Sequence, residues 1–116
     1  MDVTEIECYK NTLKDLDEFA KNEDLITDSL SIPKLTAKLI AADYDTTPEN
    51  RGFFLILEDI SNNHSLKDFN AGLSEDEIRI CLERIAWFHA VAFCFKQKKD
   101  INFNEKYPFL SCFKVE

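Results

Sequence analysis

The first 22 residues show the hydrophobic spacing of a helix. The apolar positions are three or four residues apart: Ile6, Tyr9, Leu13, Leu16 and Ala20. This spacing predicts one amphipathic helix that ends near Asn22. Thr4 and Glu7 stand at the spacing of a capping box, which predicts that the helix begins at Thr4.

An extended segment is predicted after a polar connection. Because Pro33 disfavours helix for the residue before it, "SIP" at 31–33 is expected to open a strand, "KLTAKLIAADY". Its apolar residues at alternate positions are Leu35, Ala37, Leu39 and Ala41. This period-two pattern, which Ile40 and Ala42 blur, places the four residues on one face of a strand.

A second strand is predicted at 53–57, where "FFLIL" is a run of five apolar residues. A run without alternation is typical of a strand buried on both faces. The connection "DTTPENRG" contains Pro48, Asn50 and Gly52, which favour a turn. The two strands are therefore expected to form an antiparallel hairpin with a loop of roughly eight residues.

A long helix is predicted over 74–98, after a polar linker at 59–73 in which "SLKDF" suits one helical turn. Ser74 and Glu77 have the spacing of a capping box at its start. One apolar stripe is expected along it, made of Ile78, Cys81, Leu82, Ile85, His89, Ala92 and Phe95. Since the other faces also carry aromatic and apolar residues, the helix is expected to be buried on most sides.

Composition excludes several classes of protein. The 116 residues suit one small domain or part of a larger one, and the net charge of −8 argues against binding to nucleic acid. We find no signal-peptide pattern and no apolar run of the roughly 18–20 residues that a membrane span needs. The four cysteines are far apart, which favours reduced thiols and a cytoplasmic location.

The adjacent carboxylates Glu58 and Asp59 are the first candidates for chemistry. Neighbouring residues on a strand point to opposite faces, so the pair is not expected to converge on one substrate atom. The nearest metal-ligand candidate, His64, lies in a polar stretch, and the lone His89 is interpreted as a packing residue. With only two glycines, a G-x-G-x-x-G or P-loop is excluded. The residues therefore assign no catalytic group and no metal ligand.

Three motifs in order resemble one family. They are "LILEDI" at 55–60, "GLSEDE" at 72–77 and "LERIAWFHAVAF" at 82–93. The upstream "EIECY" at 5–9 is similar to a helix motif, E-x-x-[FY]-Y, with Cys8 in place of the usual aromatic residue. The combination resembles the ecdysteroid kinase-like (CHK kinase-like) family, which is related to choline kinases and aminoglycoside phosphotransferases.

The resemblance implies an α+β fold that is a fragment of a two-lobed protein-kinase-like fold. Residues 1–58 would be the N-lobe portion, with its helix and antiparallel hairpin. Residues 59–73 would be the hinge and linker, and residues 74–116 the start of the C-lobe with its first long helix. Two strands alone are too few for a stable sheet, so apolar surface is expected to be exposed and to permit self-association.

The same resemblance implies where a nucleotide would bind. Backbone groups of Glu58, Asp59 and Ile60 would bond the adenine of ATP, and Glu5 would pair with the phosphate-binding lysine. ATP and Mg²⁺ are the cofactors implied, and the acceptor would be a hydroxyl of a small lipophilic alcohol. The strand that bears the lysine, the glycine-rich loop and the catalytic H-G-D loop have no counterpart in the 116 residues. We therefore expect no activity from this chain alone and only doubtful ATP binding.

Two alternatives remain open at this point. The chain is either a segment of such a kinase or a non-catalytic interaction or regulatory module derived from the same fold. A self-standing acidic α+β binding domain would explain the composition but not the three motifs in order.

Overall fold

The computed structural model describes residues 3–62 and 70–113, with side chains up to residue 110. The helices are α1 (Val3–Glu7), a π-helical segment (Cys8–Thr12), α2 (Leu13–Asn22), α3 (Ile32–Leu35), α4 (Glu75–Lys99), α5 (Phe103–Lys106) and a 3₁₀ helix (Pro108–Phe113). The strands are β1 (Leu39–Asp45) and β2 (Gly52–Leu57). The turn predicted at "SLKDF" lies outside the described residues.

The first helix ends at Asn22, as its periodicity predicts. Its start differs from the prediction, because α1 already includes Val3 and the Thr4 hydroxyl donates to the carbonyl oxygen of Phe109 at 3.5 Å. The predicted capping box at Thr4 is therefore wrong. The π-helical segment between α1 and α2 inserts a wider turn into the helix, which the spacing of apolar residues did not indicate.

The segment Ile32–Leu35 is helical, with Ser31 as its N-cap, so the strand predicted to open there is wrong. Pro33 lies in the first turn of α3, where a missing N–H costs nothing and the fixed φ of proline suits a helix. The turn is closed by Thr36, whose hydroxyl donates to the carbonyl oxygen of Ile32 at 3.2 Å. The strand begins only at Leu39.

The two strands form the predicted antiparallel hairpin, with Tyr44 opposite Phe53 and Asp45 opposite Gly52. The pairing register is irregular between Leu39 and Ala41, and Ile40 is exposed there. A bulge of this kind shifts the alternation of side chains by one position. It accounts for the blurred period-two pattern of β1, in which the buried residue is Ala42.

β2 is not buried on both faces, contrary to the prediction from its apolar run. Phe53, Phe54 and Ile56 are each about half exposed, whereas Leu55 and Leu57 are partly buried. The reason is that β2 pairs only with β1 among the described residues, which leaves one edge and one face uncovered. The expected exposure of apolar surface is thus present.

α4 begins at the predicted capping box, in which the Ser74 hydroxyl accepts from the Glu77 N–H at 3.2 Å and the Glu77 carboxylate accepts from the Ser74 N–H. The helix is not buried on most sides, and the predicted stripe is wrong over most of its length. Only Val91 and Phe95 are buried, while the stripe residues Ile78, Leu82 and Ile85 are exposed.

The hydrophobic core lies between the helices. It consists of Leu16, Phe19, Ala20, Ile32, Val91, Phe95 and Tyr107. The rings of Phe19 and Phe95 meet edge to face with centroids 5.3 Å apart, and the Tyr107 hydroxyl donates to Asp15 at 2.7 Å. Over residues 3–62 and 70–113, no helix is long and apolar enough to cross a bilayer.

Candidate functional site

The segment that follows β2 is held to the start of the hairpin by Glu58. The Glu58 N–H donates to the carbonyl oxygen of Lys38 at 2.9 Å, and the Lys38 N–H donates to the Glu58 carboxylate at 2.8 Å. The hairpin therefore continues one residue pair beyond the last residue of β2. The carboxylate of Glu58 is exposed and serves this backbone contact.

Asp59 makes a separate turn in the next residues. Its carboxylate accepts from the Ser61 N–H at 2.9 Å, and this hydrogen bond lowers the pKa of Asp59 from its ordinary value. Glu58 and Asp59 thus bind the backbone at two different places, Lys38 and Ser61. Neither arrangement is that of two carboxylates directed at one reacting atom.

A cleft of about 410 Å³ borders the Glu58–Ile60 segment. It is lined by Pro33, Lys34, Leu35, Thr36, Ala37, Glu58, Ile60 and Arg84. A second cleft, also about 410 Å³, shares Leu35, Thr36 and Arg84 with the first and is lined mainly by apolar atoms of α2 and α4. The residues after β2 therefore lie at a junction between the hairpin, α3 and α4.

Glu7 attaches the first helix to the hairpin. The Tyr44 hydroxyl donates to Glu7 at 2.7 Å, which raises the pKa of Tyr44, and Asn11 donates to the other oxygen of the Glu7 carboxylate. Lys10 and Asp43 add an ion pair at 3.9 Å. The sequence carries no signal for this contact, because Glu7 and Tyr44 are 37 positions apart.

Glu5 lies on the exposed side of α1. The pKa of the Cys8 thiol is raised first by its burial and then by the negative charge of Glu5. The pKa of Tyr9 is raised in the same way. Glu5 lies on the helix that contacts β1, whereas Glu58–Ile60 lie at the other end of the hairpin. That these residues belong to one nucleotide site stays a prediction.

His89 is not part of a metal site among the described residues. His89 is exposed on α4 beside Phe88, with ring centroids 6.4 Å apart, so its interpretation as a packing residue in a buried stripe is wrong. His64 lies outside the described residues. Within the described part of the chain, no group of three or more His, Cys, Asp or Glu side chains is arranged to hold a metal ion.

The sequence profile of the ecdysteroid kinase-like family matches residues 2–111, nearly the whole chain. The chain belongs to the ecdysteroid kinase-like family. Among curated proteins and among solved structures, no significant match to the chain was found.

Family membership agrees with the observed order of elements. The chain is an α+β portion of a protein-kinase-like fold, with a first helix, an antiparallel hairpin and a long helix in the order that the motifs predict. The division into 1–58, 59–73 and 74–116 stays a prediction, as do the roles of Glu5 and of Glu58, Asp59 and Ile60.

Proposed function

We propose that this ecdysteroid kinase-like chain forms one wall of the nucleotide site of an ATP-dependent kinase. The kinase would transfer phosphate to a hydroxyl of a small lipophilic alcohol in the cytoplasm. One observation carries the proposal: the family match covers residues 2–111 and includes the hairpin that leads into Glu58–Ile60. Adenine would bind along this segment, and the phosphates would extend toward the helix that carries Glu5.

The geometry narrows which backbone groups would contact adenine. The Glu58 N–H is already bonded to Lys38 and is excluded from this role. The turn at Asp59 is kept in shape by its own carboxylate, which accepts from Ser61. Adenine recognition would therefore use other backbone groups of Glu58, Asp59 and Ile60, whose positions are set by these two hydrogen bonds.

Glu5 would orient a phosphate-binding lysine through an ion pair. The lysine would come from a strand that has no counterpart in the 116 residues. The contact between Glu7 and Tyr44 supports this role, because it holds α1 against β1 and so limits where the Glu5 carboxylate can lie.

The chain by itself is not expected to transfer phosphate. Phosphoryl transfer depends on positioning and on neutralising charge. The sequence has neither a glycine-rich loop nor an H-G-D motif, and neither of the two described strands contains a lysine. Among the described residues, no group of three or more His, Cys, Asp or Glu side chains is arranged to hold a metal ion, and we assign no residue to Mg²⁺.

A nucleotide titration of the full chain, followed by backbone NMR, tests this proposal. MgATP and adenosine should bind weakly, in the millimolar range, and should shift the amide signals of residues 58–60. Ribose 5-phosphate is the matched control, since it lacks the base and should leave those signals unchanged. Shifts confined to other residues would contradict the adenine assignment, and micromolar MgATP binding would contradict the expectation that this chain binds ATP weakly.

A non-catalytic interaction or regulatory module is the second candidate. The exposed apolar side chains of β2 and α4 favour it, because surfaces of this kind mark sites of association. Transcript sequence on both sides of the coding region separates the two candidates. A lysine-bearing strand upstream and an H-G-D loop downstream in the same frame would support the kinase, whereas stop codons in both flanks would support the module.

A further inference from the structure

α4 carries two apolar faces, and only one of them is covered. The covered face packs on the core through Val91 and Phe95, with Trp87 and Phe88 beside them. The second face has Ile78 at 45%, Leu82 at 61%, Ile85 at 51% and Phe93 at 62% exposure, and His89 lies between the last two. We call these five residues the second stripe.

The second stripe is continuous along the helix. Its members follow one another at intervals of four, three, four and four residues, so at about 100° per residue they stay within a sector of about 80°. From Ile78 to Phe93 the stripe is about 22 Å long at about 1.5 Å per residue. Ile80, with 47% exposure, lies about 180° from the centre of the stripe and is not part of it.

Opposite charges stand at the two ends of the second stripe. Glu75 precedes Ile78 by one turn, and Lys96 follows Phe93 by one turn, both on the same side of α4. The Glu75 side chain is 91% exposed although it also pairs with Arg79 at 3.4 Å, so it remains accessible to a further cation.

This pattern is self-complementary when two copies of α4 run antiparallel. Glu75 of one copy then faces Lys96 of the other, Ile78 faces Phe93, and Leu82 faces His89, with Ile85 and Ala86 at the centre. Two-fold symmetry repeats each of these pairs, as an interface between identical chains requires. The antiparallel arrangement also brings the oppositely charged helix ends together.

We propose that the second stripe is the surface through which two copies of this chain pair, by an antiparallel contact between their α4 helices. Standard protein–protein interfaces bury at least about 1,200 Å² of surface, and a contact between one pair of helices buries less. The dimer is therefore weak and dissociates on dilution. The other exposed apolar surface, on β2, also lies between opposite charges, with Arg51 before it and Glu58 and Asp59 after it. Both of these carboxylates already accept backbone N–H groups, from Lys38 and Ser61, so they are less available to a second copy than Glu75.

Sedimentation velocity over a wide range of concentrations of the full chain tests the proposal. Leu82→Gln and Phe93→Gln should each raise the dissociation constant of the dimer by about tenfold or more. Each substitution puts two polar side chains, one from each copy, into the apolar contact. Ile80→Gln is the matched control, since Ile80 is similarly exposed on another side of α4 and should leave the association unchanged. Circular dichroism checks that each variant keeps its helices.

A charge exchange makes the orientation testable. Glu75→Lys alone and Lys96→Glu alone should each weaken the dimer, because each places like charges opposite one another. The double variant restores opposite charges and should recover the association. Each substitution also places a charge of the unfavourable sign at an end of the helix dipole, and these two losses of helix stability would add in the double variant. Recovery of the dimer therefore reports the contact between copies and not helix stability.

Three results would overturn the proposal. The first is a wild-type chain that stays monomeric at every concentration. The second is a double charge variant that dimerises more weakly than either single variant. Alternatively, Phe54→Gln on β2 would dissociate the dimer while Leu82→Gln left it intact, which would place the interface on the strand edge.

Discussion

At the residue scale, single polar contacts join elements that are far apart in sequence. Tyr107 is buried in the core and donates to Asp15 on α2, and the Trp87 indole N–H donates to the carbonyl oxygen of Leu25 at 3.0 Å. Tyr44 plays the same part between the hairpin and Glu7. The amino-acid types are typical of such roles, but the sequence offers no signal that pairs Tyr107 with Asp15 across 92 positions.

Replacing Tyr107 with Phe tests the first of these contacts. The change removes the hydroxyl and leaves Asp15 without its donor, so the free energy of unfolding should fall by about 1 kcal/mol at neutral pH. Tyr9→Phe is the control, because no hydrogen bond of the Tyr9 hydroxyl is present in the described part of the chain. Urea unfolding of both variants, followed by Trp87 fluorescence, measures the difference.

The same contact predicts how stability changes at high pH. Burial and the hydrogen bond to Asp15 raise the pKa of Tyr107 above its usual value in the folded chain. The stabilisation is therefore fully present below the unfolded tyrosine pKa of about 10 and is lost as pH rises above it. Tyr107→Phe should show a smaller loss of stability than the wild type between pH 8 and pH 11, and an equal loss would contradict the raised pKa.

At the element scale, the start of α4 follows from local sequence, but its buried face does not. Its start was predicted correctly from Ser74 and Glu77, because a capping box depends only on residues within one turn. Which face is buried was predicted incorrectly. When a helix has two apolar faces, its hydrophobic pattern does not indicate which of them is buried. The buried face is set by the elements that pack against the helix.

Replacing Ser74 with Ala tests the capping box. The Glu77 N–H loses its acceptor, so the chain should be destabilised by about 1 kcal/mol. Ser74→Asp keeps an acceptor at the same place and should retain most of the stability. Thermal unfolding followed by circular dichroism compares the two, and equal losses would show that the cap contributes nothing.

At the scale of the whole molecule, one helical core carries most of the packing and the hairpin is attached at its side. The core joins α2, α3, α4 and α5, whereas the hairpin contacts the first helix through Tyr44 and Asp43. The candidate site depends on both parts, since Glu5 lies on the first helix and Glu58–Ile60 follow the hairpin. Stability of the core and order at the hairpin end are therefore separable properties.

Replacing Phe95 with Ala tests the helical core. Phe95 is buried against Phe19 and Phe103, so its loss should cost about 3–5 kcal/mol. That is a large share of the about 5–15 kcal/mol that stabilises a typical domain. Phe93→Ala is the matched control on the same helix, and at a dilution that keeps the chain monomeric it should change stability by less than about 0.5 kcal/mol.

The sequence by itself determined what depends on neighbours within a few residues: the end of the first helix, the hairpin, the start of α4 and the family motifs around residues 55–60 and 82–90. It failed at Pro33, where the same residue suits either a strand entrance or the first turn of a helix. Only the tertiary structure decided which face of α4 is buried, that β2 is half exposed, and that Glu7 rather than Glu5 contacts Tyr44. The physical reason is that burial and long-range hydrogen bonds are properties of what lies opposite a side chain, and a one-dimensional pattern records only what lies beside it.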